Sequence, residues 1–342
     1  MGNTIKDVAM RADVSIATVS RVLAPENSGG VTERTRTRVL NAAEELGYQL
    51  NYTARSLKRH STMMIAVVFP ELGNEFFMDV AEGIERELLV EGYTMLISSS
   101  FNSIEEEKKR ISMLAGRMVD GMVISPAGSQ GEHIQSLSDK GMPVVLVDRI
   151  VEGTRLDVIT SDNEDGAFKL TKALLSDGYR RIGFVGGNIA LSTARERFNG
   201  YARALGEAEI KPEPSWICLG GMEKEDGYRL MKNLLEKQSM PEAVVAVNQL
   251  VHLGMERCLL DWRLFTVKEP TVVIAGFDES YYTPFLPACR YIAAQDAAGM
   301  GSRAGRRVIE KIREKKKPDF VSVVKDERII RLPVTINTVL SR

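Results

Sequence analysis

Apolar residues between positions 4 and 46 recur at helical spacing. Ile5, Val8, Ala9 and Ala12 fall at i, i+3, i+4 and i+7, which is one helical face. Thr4 stands at the N-cap of that helix, with Asp7 three residues on as its box partner. Asp13-Val14-Ser15 reads as a tight turn, and Ser15 caps a second helix with Val19, Val22 and Leu23 inward. Pro25 and the Gly29-Gly30 pair break the chain. Thr32 caps a third helix with Val39, Ala42, Ala43 and Leu46 inward, and Gly47 ends it. Residues 48–62 lack a comparable apolar face; within Asn51–Arg59 only Ala54 and Leu57 share a side, so the segment reads as a linker that folds on contact with a partner.

From residue 63 the pattern changes. Short Val- and Ile-rich runs (63–69, 94–100, 121–125, 143–148, 181–187, 243–248 and 271–278) alternate with amphipathic stretches such as 76–91, 104–118, 164–177 and 225–237. This alternation predicts an α/β body of βαβ units with parallel sheets. About 280 residues is large for one such sheet, so two doubly wound lobes are expected, with a ligand cleft at the carboxyl ends of the strands.

Composition narrows the class. The chain of 342 residues is 44% apolar and 27% charged, which excludes wholesale disorder. Its apolar runs fall far short of the roughly 20 residues that cross a bilayer. The start, MGNTIKDVAM, has no apolar core of a signal peptide, so the cytoplasm is the expected location. Cys218, Cys258 and Cys289 are odd in number and widely spaced, which suits reduced thiols better than disulfides or zinc. Net charge is −1, but residues 1–62 hold nine Lys/Arg against six Asp/Glu. A slightly basic head on an acidic body is a weak pointer to a polyanion.

The chemistry-bearing motif is residues 4–23, TIKDVAMRADVSIATVSRVL. Two helices around a three-residue turn form a helix-turn-helix pattern, in which the second helix enters the major groove. Its outward residues are Ile16, Ala17, Ser20 and Arg21. Arg21 can address a guanine bidentately, while Ile16 and Ala17 can touch a thymine methyl. Ser15, Thr18 and Ser20 offer hydroxyls to phosphates. On pattern alone, a helical hairpin with solvated polar residues remains the alternative.

Taken in order, TIKDVA, VSIATVSRVL, TRTRVLNAAEELGY, NYTARSL, NEFF, VDGMVIS, VDR, SDNEDGAF, YRRIGFVGG, ARERFNGY and IAGFDES resemble the LacI/GalR (lac repressor) family of bacterial transcriptional regulators. The resemblance implies a helix-turn-helix head (1–47), a hinge (48–62) and a two-lobed body like periplasmic binding proteins. The lobes are expected at 63–160 with 292–320, and at 161–291 with 321–342, with crossings near 160, 291 and 320. It further implies a hinge helix formed on operator DNA, with Leu57, beside Ala54, wedged into the minor groove. In the cleft it implies effector contacts from Arg197 and Asp278, and from Phe77, Ser125, Asp148 and Asn248, with Asn74, Arg149 and Gln295 as weaker candidates. Read without the resemblance, an Asp or Asn at a strand end is as readily a helix cap.

Departures from the family pattern are Asp13 in the turn, where Asp tolerates positive φ, a longer loop at 24–30, Leu50 before the hinge, Gln249 after Asn248, and Met222 in place of an aromatic residue. Scattered histidines (His60, His133, His252) and the lack of a nucleophile elbow, Walker loop or CxxC give no enzyme reading, and no metal or cofactor is expected. The expectation is a homodimeric, nucleoid-associated repressor of a pseudo-palindromic operator, not bound to membrane and controlled by a sugar or sugar derivative. A solute sensor without DNA function, or a regulator responding to a purine or nucleoside, is the alternative.

Overall fold

The computed structural model describes residues 3–23, 30–48, 61–237, 239–265, 272–315 and 328–339. The chain divides into a head (1–62) and a body (63–342). The hinge candidates Ala54 and Leu57 lie outside the described residues.

The head holds α1 (Ile5–Arg11), α2 (Ile16–Val22) and α3 (Glu33–Glu45). Each starts where its capping residue dictates. The backbone N–H of Thr4 donates to Asp7 Oδ2 at 2.7 Å, and that bond holds the Asp7 carboxyl below the usual carboxylate range. Ser15 Oγ accepts from Thr18 N at 3.1 Å, and Thr32 Oγ1 from Thr35 N at 3.3 Å. Asp13 takes φ +49° in the turn, the conformation that an aspartate accepts at small cost. The core is small: Val8, Ala9, Ala12, Val19, Val22, Val39, Ala42 and Ala43. The Arg38 guanidinium on α3 ties down the turn between α1 and α2 by donating to the carbonyls of Ala12 and Asp13.

In the body, chain order runs β1 (Met64–Phe69), α4 (Glu75–Val90), β2 (Thr94–Ser99), α5 (Ile104–Gly116), β3 (Gly121–Ile124), α6 (Glu132–Asp139), β4 (Val144–Val147) and β5 (Asp157–Ser161). It continues with α7 (Asn163–Ser176), β6 (Ile182–Val185), α8 (Ser192–Glu207), β7 (Ile217–Cys218), α9 (Lys224–Leu235), β8 (Ala243–Ala246), α10 (Gln249–Phe265) and β9 (Val273–Phe277). Last come β10 (Cys289–Gln295), α11 (Ala297–Lys315), β11 (Ile329–Leu332) and β12 (Val334–Thr338).

These strands form two six-stranded sheets, one per lobe: β11-β5-β4-β3-β1-β2 and β12-β10-β9-β8-β6-β7. All pairings are parallel except β10 with β12. The central strands β3, β4, β6 and β8 are buried along their whole length, which is why they read as continuous apolar runs rather than alternating ones. Helices α4 and α11 press together at glycine. A Cβ on Gly83 would lie 2.1 Å from the carbonyl oxygen of Ala298, and one on Gly301 2.0 Å from that of Val80.

The chain passes between the sheets three times, at Asp162, Asp296 and Pro333. The first lies where the sequence placed it, near 160. The other two replace the expected crossings near 291 and 320. Residues 292–295 stay in the C-lobe sheet, where Ile292 pairs with Gly276 and Asn337. Residues 329–332 extend the N-lobe sheet, with Ile330 opposite Ile159. Sheet membership is a long-range pairing property, and local apolar spacing does not carry it.

Candidate functional site

In the head, α2 presents one side to the core and the other to solvent. Val19 and Val22 are buried, while Ile16 is 44% exposed and Ala17, Ser20 and Arg21 are exposed. Arg21 makes no ion pair among the described residues, so its fork is available to a partner. Ser15 and Thr18 are committed more than the sequence suggested: their hydroxyls lie 2.9 Å apart, and Ser15 Oγ also receives the Thr18 amide. The Arg38 clamp was missed, because it joins residues 25 and 26 positions apart.

In the body, residues of both lobes line a narrow cleft with a cavity volume of about 30 Å³. Asp148 follows β4 and Asp278 follows β9, strands with equivalent places in the two sheets. Both adopt a left-handed backbone, φ +64° and +70°, and both side chains line the cleft. As at Asp13, aspartate accepts that region at small cost. Asp278 accepts from Gln295 Nε2 across the end of the C-lobe sheet. Asp148 is 3.7 Å from the Arg149 guanidinium. Burial pushes the Asp148 carboxyl up to about 6; Arg149 and Arg197 pull it down, Asp278 and Glu196 push it further up.

Arg197 comes from α8. Its Nε donates to Asn163 Oδ1 at 2.8 Å and its Nη1 to the Val247 carbonyl at 2.7 Å. The guanidinium carbon stands 4.0 Å from the Phe277 ring centroid. The side chain is thus fixed before any ligand arrives. Arg149 is buried, with Nη1 donating to the Pro126 carbonyl at 2.9 Å. Asn74 caps α4 by accepting from Phe76 N at 3.1 Å. Asn248 caps α10: its Oδ1 accepts from Val251 N at 3.0 Å, and its Nδ2 donates to the Met222 carbonyl. The cap reading and the lining reading of Asn248 therefore both hold. Phe77 stacks on Phe69 at 5.1 Å and stands edge-on to Phe76.

Of the predicted effector residues, Phe77, Asp148, Arg197, Asn248 and Asp278 line this one cleft, together with Asn74, Arg149 and Gln295. Ser125 does not. It is fully buried at the end of β3, and its hydroxyl has no partner. Asp148, just past the end of β4, does line the cleft. Sequence reasoning missed Glu71, Phe76, Asn102 and Thr193, which come from loops and helix starts where no periodicity applies. Three lining groups have a buried polar atom without a protein partner: Arg149 Nε, Thr193 Oγ1 and Gln295 Oε1. Such atoms are costly unless a ligand or water meets them.

Two protein-family profiles match. Residues 4–51 match the bacterial regulatory proteins of the lacI family, and residues 62–281 match the periplasmic binding proteins and sugar binding domain of the LacI family. The chain belongs to the lacI family of bacterial regulatory proteins. It is similar to the HTH-type transcriptional repressor PurR of Edwardsiella ictaluri, at 32% identity over 92% of this chain and 91% of that one. It is also similar to the HTH-type transcriptional regulator RegA of Clostridium saccharobutylicum, at 31% identity over 98% and 100%. Its fold matches a lac repressor dimer bound to operator and the anti-inducer ONPF, with a TM-score of 0.83 at 21% identity, over 100% of this chain and 99% of that one. This lacI-family chain is a DNA-binding transcription regulator and not an enzyme. Among the described residues, no helix is long and apolar enough to cross a membrane.

Proposed function

We propose that this regulator is a dimeric repressor whose DNA affinity is set by an uncharged polyhydroxylated ligand, a sugar or sugar derivative, held between the two lobes. The observation that carries this reading is the pair Asp148 and Asp278, brought from equivalent strand ends of opposite lobes to one cleft beside Arg197. Carboxylates accept from vicinal hydroxyls, and a fixed guanidinium donates to paired oxygens. Thr193, Gln295 and Arg149 supply the atoms that still lack partners. Glu71, Asp148 and Asp278 outnumber Arg149 and Arg197 among the lining residues, so a phosphorylated ligand meets net repulsion. The match to a sugar binding domain points the same way.

A ligand touching both lobes favours the arrangement that brings them together, and so biases their equilibrium. Ligand and DNA are then linked by about 1–3 kcal/mol, reciprocally. In the head, Arg21 reads a base, Ile16 and Ala17 make apolar contacts, and Ser15, Thr18 and Ser20 stay near phosphates. Ala54 and Leu57 belong to the hinge that meets the minor groove.

A purine is the second reading. The Phe76 and Phe77 wall suits a flat base, and a regulator named PurR is among the similar proteins. Thermal shift of the full chain against sugars, sugar phosphates, purines and nucleosides separates the two, because a ligand at a hundredfold excess over its Kd adds about 2.7 kcal/mol. Stabilisation by a neutral sugar supports the first reading. Stabilisation by a base alone replaces it with the second, and by a sugar phosphate alone refutes the charge argument.

A further inference from the structure

The mouth of the cleft carries a contact between the lobes, made by the lining residues Glu71 and Asn102 with Glu223. Glu71 lies in the N-lobe loop between β1 and α4, and Glu223 precedes α9 in the C-lobe. Asn102 of the N-lobe donates through Nδ2 to Glu223 Oε1 at 2.7 Å. Phe101 and Asn102 hold φ +52° and +53°, consecutive non-glycine residues in left-handed conformation, and the strained pair delivers that amide across the gap. Asn74 Nδ2 donates to Glu71 Oε1 at 3.0 Å. Two N-lobe asparagines thus position the two carboxyl groups, which come within hydrogen-bond reach of each other.

Two carboxylates this close do not both ionise cheaply, and one proton is retained between them. Burial, then the charge of Glu71, push the Glu223 carboxyl up to about 7, and Asp226 and Glu225 on its own helix act in the same sense. Asp226 is engaged by Arg229 at 2.9 Å. On the N-lobe side, the buried Arg149 guanidinium is near enough to Glu71 for the two charges to attract. Arg110 lines the groove on the far side of Glu71 but is paired with Glu106 at 3.5 Å. Lys224, the first residue of α9, is exposed.

We infer that Glu71 and Glu223 form a proton-held latch between the lobes, so that closure takes up a proton and acid strengthens the closed arrangement. With the lobes apart, the Glu223 carboxyl is freed of the Glu71 charge and of the burial that raise it, and is charged at neutral pH. Closure above pH 7 brings two charges together; below pH 7 it captures a proton. A group with a raised value in the closed state favours that state as pH falls, so the closed-to-open ratio rises up to about tenfold from pH 8 to pH 6.

The inference rests on the lobe movement of the proposed function, but its test needs no effector. Ser112 on α5 and Asn233 on α9 are exposed, one in each lobe. Spin labels on Ser112→Cys and Asn233→Cys report the separation by double electron–electron resonance on the full chain. The native thiols of Cys218, Cys258 and Cys289 are buried and pushed up, to about 11 for Cys258 and about 12 for Cys289, so they are spared by the label. The population at the separation found in this structure is expected to grow up to about tenfold relative to the wider one between pH 8 and pH 6. In Glu223→Gln the neutral amide stands in for the protonated acid, so closure is favoured at both pH values and the dependence is lost. Glu71→Gln, which keeps a side-chain oxygen to accept from Asn74, loses it too. Two populations in a ratio that ignores pH, or a pH response that survives in both variants, overturn the latch. A single population at every pH overturns the latch and also counts against lobe movement.

Discussion

Asp148→Asn is expected to stabilise the body at neutral pH while weakening its response to effector. Asp148 is 6% exposed, and burial outweighs the attraction of Arg149 and Arg197, leaving its carboxyl at about 6 instead of its ordinary 3.8. That difference corresponds to about 3 kcal/mol of unfavourable ionisation on folding, with both arginines already counted. Asparagine removes the charge, keeps the shape and tolerates the left-handed backbone at φ +64°. The sign follows from linkage. A carboxyl raised in the folded state costs nothing below its unfolded value, and its cost grows as pH rises toward the folded one. Wild type and variant are therefore expected to melt alike below about pH 4. The gap opens between pH 4 and 6 and stays constant above, reaching roughly 5–10 °C in favour of the variant. Calorimetry at pH 4, 5, 6 and 7.5 measures it. A variant that melts below wild type at pH 7.5 would show that pairing with Arg149 outweighs burial. Stability held back in this way is common at binding sites, where a charge is kept for the ligand rather than for the fold.

Other expectations concern the head and the body frame. Arg21→Ala is expected to lose roughly 1–3 kcal/mol on a specific DNA site and to relax preference at one base pair; equal weakening on all sequences would make Arg21 a phosphate contact. Arg38→Ala unties the turn carbonyls of Ala12 and Asp13 and is expected to destabilise the head by about 1–3 kcal/mol, read as faster amide exchange in α1 and α2. Gly301→Ala forces a Cβ to within 2.0 Å of the Val80 carbonyl oxygen, and is expected to cost at least about 2 kcal/mol in thermal unfolding; an unchanged Tm would mean that α4 and α11 separate freely.

Much of the fold is written in local pattern. The three head helices begin at the predicted caps Thr4, Ser15 and Thr32, because capping is a contest between one side chain and a few amides, decided within four residues. The fully buried strands, such as Val144–Val147, stand out because both faces are covered. What stayed hidden depends on distant partners. Strand Ile329–Leu332 is exposed at its first three residues and is a strand only because β5 pairs with it. Ile217–Cys218 is two residues long, too short for any period. At the site, Asp148 and Asp278 were legible as polar stops on apolar strands. Thr193 and Asn102 were not, since their roles come from where α8 and a strained loop happen to point. Ser125 resembled Asp148 in sequence, an apolar run ending in a polar residue, yet the sheet buries it.

The central claim is that one ligand in the interlobe cleft sets the affinity for DNA. A binding sequence selected from random DNA by the full chain, followed by fluorescence anisotropy during titration with the compound that gives the thermal shift, tests it directly. The account predicts that the compound changes DNA affinity by roughly 5- to 150-fold. It predicts further that Asp278→Ala, which removes a cleft carboxylate, abolishes that change while DNA affinity without ligand persists. A ligand response that survives the loss of Asp278 would place the effector elsewhere, and a chain that selects no sequence would contradict the account.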